Sequence, residues 1–467
     1  MSNGAGQYDA IIIGSGIGGL VCGAFLARAG KRVIVFERHY LAGGYCTSFK
    51  RRGFVFDAAV HHIGGCGRLS ITGRALRELG IELELKRLDP MDSLIFPDFS
   101  IDIPADLDEF IALLQQRYPH EAENIPAFFK QLTRLYWAIL QENEQSPMLE
   151  RYGHMKFSQM LDEFFRDPQL KLILGGQWGY LGLPPEEISA VGMCQMMVNY
   201  LKDGAYFPKG GSQRFADAIV AALKRYGGQL KLRTEVQRIL LEDGRATGVL
   251  LKSGQEVRAP LVVSNADARL TFLHLLAEQV DGGYLDDLKN MRESTPLYMI
   301  WFGLTAEADL SPIKRGFHFM KTGEWYYISV PTRDDPGLAP AGKQIVSVTA
   351  SFESEYDRVE DWRALKQAKK QQMVDYLQTL VPDFVRHIVV TEVGSPYTCW
   401  RYTLNSKGAA YGWAVTPDQS GPRRLSHRTP IPNLYLTGHW TQPGPGVCAV
   451  VSSGWRVANL ILKDEAR

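Results

Sequence analysis

Two groups of residues in this chain have types and spacings that could do chemistry. The first is Gly14-x-Gly16-x-x-Gly19, set in "YDAIIIGSGIGGLVCGAFLARAGKRVIVFER". Gly14 permits a tight turn, Gly16 lets backbone approach a pyrophosphate, and Gly19 lets a helix pack close to a strand. The free N–H groups and dipole of that helix favour negative charge at its start. Glu37 closes the second apolar run, where a carboxylate can accept from both hydroxyls of a ribose. A 2′-phosphate would be repelled there, so adenosine with a free 2′-hydroxyl fits and NADP does not. The motif does not separate FAD from NAD. A second glycine pair, Gly43-Gly44 in "ERHYLAGGYCTSF", suggests more backbone wrapped around an extended cofactor.

The second group is "FDAAVHHIGG", with His61 and His62 side by side. A metal site needs three or four ligands, and no H-E-x-x-H or H-x-H with a nearby acid is present. Adjacent histidines generally point in different directions, so one is expected to pack in the core and the other to be free for chemistry. Cys46 and Cys66 bracket this segment without a redox partner and read as small buried hydrophobes. Met193, Met196 and Met197 recur at helical spacing in "VGMCQMMVNYL". They read first as core, and alternatively as a flexible apolar wall for a greasy substrate or a membrane-touching face. Trp178, Tyr180, Tyr200, Tyr206 and Phe207 fit an apolar tunnel.

These residues need elements to position them. Residues 8–13 form a short apolar run, as in a buried parallel strand. Leu20, Val21, Ala24, Phe25 and Ala27 recur at helical spacing, Gly30 stands where a helix C-cap belongs, and 32–36 is a second strand. A right-handed crossover joins the two in one parallel sheet. Residues 91–204 read as helices (106–118, 127–145, 158–167) with aromatic-rich loops. From 205 the order is turn, helix and short strands, with "LEDG" and "KSGQ" as turns. Residues 291–424 alternate strands with one helix at 362–380, and the chain closes on a strand, a glycine-rich turn and a helix. The fold class expected is α/β: a Rossmann-like domain from 1–90, 205–290 and 425–467, and an α+β substrate domain from 91–204 and 291–424.

Bulk properties narrow the function. The 467 residues suggest roughly two or three domains. Lys and Arg total 52 against 51 Asp and Glu, so no basic excess points to nucleic acid. Six scattered cysteines without C-x-x-C suit a reducing compartment. The first residues hold no apolar h-region, and no apolar run approaches the ~18 residues of a membrane span.

"DAIIIGSGIGGL…VIVFERHYLAGGYCTSF" resembles FAD-dependent oxidoreductases of the phytoene desaturase, carotenoid isomerase and retinol saturase group. "FPKGGSQRFADAIVAAL", "LRTEVQRIL", "APLVVSNAD", "SPYTCWRYT…GAAYGW" and "NLYLTGHWTQPGPGV" follow in that group's order. The likeness covers most of the chain and is loosest over 91–204. It implies that Gly14, Ser15, Gly16, Gly19, Glu37 and Arg38 hold the ADP half of FAD. Gly43, Gly44 and Tyr45 would lie along the pyrophosphate and ribityl chain, and Val236 would contact adenine through its backbone. Gly438 and His439 would meet the ribityl or pyrophosphate part. Gly446 and Val447, opening the last helix, would face the flavin pyrimidine edge, where a helix N-terminus stabilises charge near N1 and O2.

Two departures stand out. Many relatives carry an acid where this chain has His439. Relatives nearer amine oxidases and phytoene desaturases usually carry arginine where it has Tyr45, which weakens the amine oxidase reading and favours the saturase or isomerase branch. In that branch a histidine matches His61, which is expected to face the flavin–substrate cavity while His62 packs elsewhere.

The resemblance implies hydride exchange at flavin N5 with a C–C bond of a lipophilic isoprenoid or polyene: saturation, desaturation or cis–trans isomerisation. An amine oxidase-like flavoprotein and a non-catalytic lipid-binding flavoprotein are the alternatives. There is no second G-x-G-x-x-G, so a diffusible electron donor or acceptor is the expected partner. The expected location is the cytoplasm, with peripheral membrane contact compatible with a lipid substrate.

Overall fold

The computed structural model describes residues 8–68, 70–141, 145–276, 282–352 and 356–466. The first seven residues, part of the stretch searched for a leader, lie outside them, as do 142–144 of the helix expected over 127–145.

Ala10–Ile13 is buried at every position, as an apolar strand covered on both faces must be. It pairs in parallel with Val33–Phe36 on one side and Leu261–Ser264 on the other. Gln229–Lys231 and Leu434–Leu436 extend the sheet outward, also in parallel. Alternation divides these strands between two cores. Ala10, Ile12, Val33 and Val35 pack with residues of the helices Ile17–Arg28, Ser212–Arg225 and Val447–Glu465. Ile11, Ile13, Ile34 and Phe36 face Ile239, Val249 and Val257 of the antiparallel sheet Val236–Glu242, Arg245–Leu251, Glu256–Arg258. The first and last helices cross closely. A Cβ on Gly454 would stand 2.3 Å from the Gly18 carbonyl oxygen, so glycine is required there.

A second, mixed sheet of the described residues runs Ile388–Gly394, Leu297–Leu304, Gln344–Ser351, Trp325–Ser329, Gly316–Phe319, Asp92–Ile95, Ser100–Ile103. Its strands again alternate. Ile300, Phe302 and Leu304 pack with Met373, Val374 and Leu377 of the helix Trp362–Leu380. Leu297, Met299 and Trp301 face a helical block that includes Asn124–Leu140 and Ala190–Asp203.

Three local expectations are corrected. The segment read as helices and loops from residue 91 opens on a hairpin, Asp92–Ile95 with Ser100–Ile103, that joins the second sheet. The "YFPKGG" turn begins as a strand, Ala205–Pro208, paired with Ile63–Gly64 and Leu85–Leu88. Between 291 and 424 there is a further helix, Pro396–Thr403, started by the Ser395 side chain on the Thr398 N–H and by Pro396 at its first position. Asp92–Ile95 and Ala205–Pro208 carry little local signal because Gly316–Phe319, Ile63–Gly64 and Leu85–Leu88, on which they pair, lie far along the chain. The helix was missed because its aromatic and β-branched residues are poor helix formers.

Candidate functional site

Four parallel strands end at one crevice. Ile13 leads into Gly14, Phe36 into Glu37, Ser264 into Asn265, and Leu436 into Thr437 and Gly438. The chain moves outward from the central strand in one direction through Val33–Phe36 and in the other through Leu261–Ser264. Ligands of open α/β sheets bind at such a switch point, outside the carboxyl ends of the strands.

The glycine turn is held from behind. Asn265 Oδ1 accepts from the Gly19 N–H at 2.9 Å, and the Asn265 N–H donates to Ile13 O at 2.8 Å. A Cβ on Gly16 would sit 2.6 Å from Asn265 Nδ2, and one on Gly19 2.4 Å from the Gly14 carbonyl oxygen. The second glycine turn docks on the first: Gly43 N–H donates to Ser15 O at 2.9 Å. Glu37 is 9% exposed. Its Oε2 accepts from the Ser15 N–H and hydroxyl, both at 2.8 Å, and Oε1 from the His39 N–H at 2.7 Å. A carboxylate has about four acceptor positions, so room remains for a ligand hydroxyl.

A cavity of about 840 Å³ starts at this turn. Gly14, Gly16, Glu37, Arg38, Gly43, Gly44, Tyr45, Val236, Gly438, His439, Gly446 and Val447 all line it. Ser15 and Gly19 do not. Ser15 spends its N–H and hydroxyl on Glu37 and Gly19 its N–H on Asn265, so both shape the turn from within. Two helices, Ile17–Arg28 and Val447–Glu465, open on the cavity with glycine N-caps and no side-chain cap. Their free N–H groups suit anionic groups at two points of one ligand. An extended dinucleotide fits this arrangement: a carboxylate for ribose, a glycine cradle for pyrophosphate and a second helix start further along.

Tyr45 is tied to the segment 405–409. Its hydroxyl donates to Ala409 O at 2.9 Å and accepts from Asn405 Nδ2 at 3.1 Å. The Asn405 Oδ1 in turn accepts from Trp440 Nε1 at 3.0 Å. The His439 ring stands 6.2 Å from Tyr45. Burial and the Arg424 guanidinium push its imidazole down to about 3, so it is neutral at ordinary pH. Its Nε2 has no hydrogen-bond partner in the protein, consistent with a group that serves a ligand. Arg424, buried, donates to the carbonyls of His439 (2.6 Å), Tyr411 (3.1 Å) and Thr441 (3.2 Å).

The same cavity also has an apolar, aromatic part, with Tyr180, Leu181, Met196, Tyr200, Met299 and Trp301 in its wall. Of the methionines singled out, Met196 lines it while Met193 and Met197 are core. Of the aromatics, Tyr180 and Tyr200 line it while Trp178, Tyr206 and Phe207 do not. His61 lines it too, with Nε2 2.9 Å from the Thr349 hydroxyl. Burial pushes its imidazole down to about 4. His62, expected to pack elsewhere, also lines the cavity: its ring meets Tyr200 edge-on at 5.1 Å and Tyr180 at 5.4 Å. The reason is that Ile63–Gly64 pairs with Ala205–Pro208, directly after the helix that carries Tyr200. Cys46 is buried, its thiol pushed up to about 12 by burial, as for a packing residue.

Sequence reasoning missed Asn265, Arg424, Asp92, Tyr327 and Thr349. Asn265 has a local signal, an amide at the end of a fully apolar strand. Asp92 has another, an acid in the alternating run "DSLIF". Arg424 has none. Among the described residues, no cluster of three His, Cys, Asp or Glu could hold a metal ion. No helix among them is long and apolar enough to cross a membrane.

The sequence pattern of the family described as flavin containing amine oxidoreductase matches residues 17–462. The chain is 28% identical to prolycopene isomerase 1, chloroplastic, of an Oncidium hybrid cultivar, covering 98% of this chain and 84% of that one. It is 28% identical to the all-trans-retinol 13,14-reductase of Rattus norvegicus, covering 92% and 82%. Its fold is similar to that of an oxidoreductase from Methanosarcina mazei, with a TM-score of 0.71 at 20% identity over 97% of this chain and 100% of the other.

Proposed function

Because the chain belongs to the flavin-containing amine oxidoreductase family, with FAD as its cofactor, we propose that it is an oxidoreductase acting on C–C double bonds of a lipophilic polyene of carotenoid or retinoid type. The reaction saturates, makes or isomerises such a bond. One observation carries this reading: the dinucleotide turn and an apolar, aromatic chamber belong to one continuous cavity. The relatives named for prolycopene and retinol point to the same substrate class.

Bound FAD supplies or takes a hydride at N5. The protein's part is to bind, orient and exclude water. In this reading Gly14, Gly16, Glu37 and Arg38 receive the ADP half, with Ser15 and Gly19 bracing the turn and Val236 beside adenine. Gly43, Gly44, Tyr45, Gly438 and His439 follow the pyrophosphate and ribityl chain, and Gly446 and Val447 meet the pyrimidine edge. His61, tied to Thr349, orients the substrate. The parallel-sheet layer (1–90, 205–290, 425–467) serves the cofactor, and 91–204 with 291–424 form the substrate domain. A diffusible electron donor or acceptor completes a redox cycle. A polyene must arrive from a lipid surface, and we place the protein in the cytoplasm, touching membranes peripherally.

Anaerobic reduction of the bound flavin, followed by mixing with retinoids and carotenoids, tests this. Reoxidation by a polyene, or geometric change without net redox, is the expected result. Inertness toward every polyene would sink the proposal.

A further inference from the structure

Making or saturating a C–C double bond moves a hydride and a proton, and only the hydride belongs to the flavin. The proton needs a site of its own, and one cluster outside the cofactor cradle has the layout for it. Asp92 is 1% exposed. Its carboxylate accepts from Gln177 Nε2 at 2.8 Å, from the Tyr180 hydroxyl at 2.9 and 2.8 Å, and from the Tyr327 hydroxyl at 3.0 Å. Tyr327 has one hydroxyl hydrogen and gives it to Asp92, so its oxygen is left to accept. The neighbour is His62 Nδ1, at 3.4 Å. This selects the Nδ1–H tautomer and leaves Nε2 with its lone pair bare. Nε2 is buried and has no hydrogen-bond partner, on a ring that lines the apolar part of the cavity. Burial drives the His62 imidazole well below its usual range, with Arg315 and His61 adding to the effect. Burial also lifts Asp92 to about 6, against the hydrogen bonds and Arg315, which lower it. Tyr180 and Tyr200 complete the groups facing His62.

We propose that His62 exchanges the proton of the reaction, with Tyr327 and Asp92 as the positioning residues behind it. The proposal rests on the polyene reading above. When a double bond is made, one carbon loses a hydride to oxidised flavin and the neighbouring carbon loses a proton to Nε2. The C–H pair left behind becomes the new π bond. When a double bond is saturated, a hydride from flavin previously reduced by a diffusible two-electron donor adds to one carbon. Nε2–H of the imidazolium protonates the other and the ring returns to neutral. The imidazolium is held by its Nδ1–H on the Tyr327 oxygen and, through that hydroxyl, by the Asp92 carboxylate. His61 differs in that its Nε2 meets the Thr349 hydroxyl rather than a tyrosine backed by a carboxylate.

The test combines two readouts on the full-length holoenzyme. Nitrogen-15 histidine NMR of the oxidised form should show His62 protonated at Nδ1 and bare at Nε2, with Tyr327→Phe erasing that preference. A His62 protonated at Nε2, or a tautomer indifferent to Tyr327→Phe, overturns the proposal. Reduced enzyme is then mixed with polyenes in D₂O. Wild type should place one solvent deuteron on carbon. His62→Gln should keep its flavin and slow turnover by about 10²-fold or more, with Tyr327→Phe falling between. A wild type that reacts while His62→Gln matches its rate and deuterium content overturns the relay alone. A wild type inert toward every polyene overturns the function reading, and the tautomer then decides on the His62 layout by itself. Tyr327→Phe preserves the ring, so the test does not depend on the more disruptive Asp92→Asn.

Discussion

Asn265 closes the glycine turn on Gly19 across 246 residues of chain, with its Oδ1 on the Gly19 N–H at 2.9 Å. The same side chain bars any Cβ at Gly16 or Gly18, with polar atoms 2.6 and 2.8 Å from where one would stand. The first helix therefore starts with one of its N–H groups satisfied by a side chain from another strand, while the preceding ones face the cavity. The turn that reads as a local motif is set by a residue from the far side of the switch point.

Asn265→Ala should cost about 1–3 kcal/mol, the price of an unmade buried hydrogen bond, read as a lower denaturation midpoint of the apoprotein. Asn265→Asp keeps the acceptor but brings a negative charge to the turn. It should fold close to wild type and still bind flavin more weakly, because the carboxylate repels a pyrophosphate. Equal flavin affinity in both variants would mean that the turn does not face the phosphates.

Glu37 offers a second test. Its carboxylate accepts three hydrogen bonds from Ser15 and His39. Glu37→Gln turns one acceptor into an amide N–H facing donors, and Glu37→Ala removes both. Flavin titration should show affinity lowered roughly 10–100-fold, the value of one charge-assisted bond. Unchanged affinity would remove Glu37 from the ribose.

What was legible in the sequence follows from range. The strand–turn–helix–strand of residues 10–36, with its glycines and Glu37, is specified by neighbours within one short segment, and it forms as the pattern implies. The partition of the second sheet was legible only in part, because Asp92–Ile95 joins Gly316–Phe319 across a long stretch of chain. His62 shows the limit most clearly. Its type and position are local, but its surroundings come from Asp92, Tyr180, Tyr200 and Tyr327 on separate elements. No periodicity records such a meeting.

Stability should fall between pH 6.5 and 4. His318 and His427 are buried, and burial pushes each down to about 4. Below about pH 6.5 the unfolded chain binds protons that these native imidazoles refuse. Their contribution is therefore complete above that pH and is lost as pH falls toward 4, on the order of 3 kcal/mol each. Asp92, lifted to about 6, acts in the opposite sense. Its native form holds a proton the unfolded chain has released, so its contribution is present below about 4 and lost as pH rises through 6. His318→Gln should flatten the curve of thermal midpoint against pH in that window. A variant curve parallel to wild type would contradict the assignment.

Two glycines separate the packing of the turn from the filling of the cavity. Gly19→Ala would put a Cβ 2.4 Å from the Gly14 carbonyl oxygen, a backbone atom. Nothing there can yield cheaply, so the apoprotein itself should lose about 1–3 kcal/mol or more, along with flavin. Gly446, the N-cap of Val447–Glu465, has φ 101°, and a Cβ on it meets nothing within 4 Å. Gly446→Ala should cost only about 1–2 kcal/mol of backbone strain and leave a folded protein. Its methyl would nonetheless stand in the cavity at the start of the last helix. Flavin affinity should therefore fall further than apoprotein stability does, measured by titration beside denaturation of the same variant. A Gly446→Ala protein with wild-type affinity would move the pyrimidine edge away from that helix start, while leaving the dinucleotide turn at Gly14–Gly19 untouched.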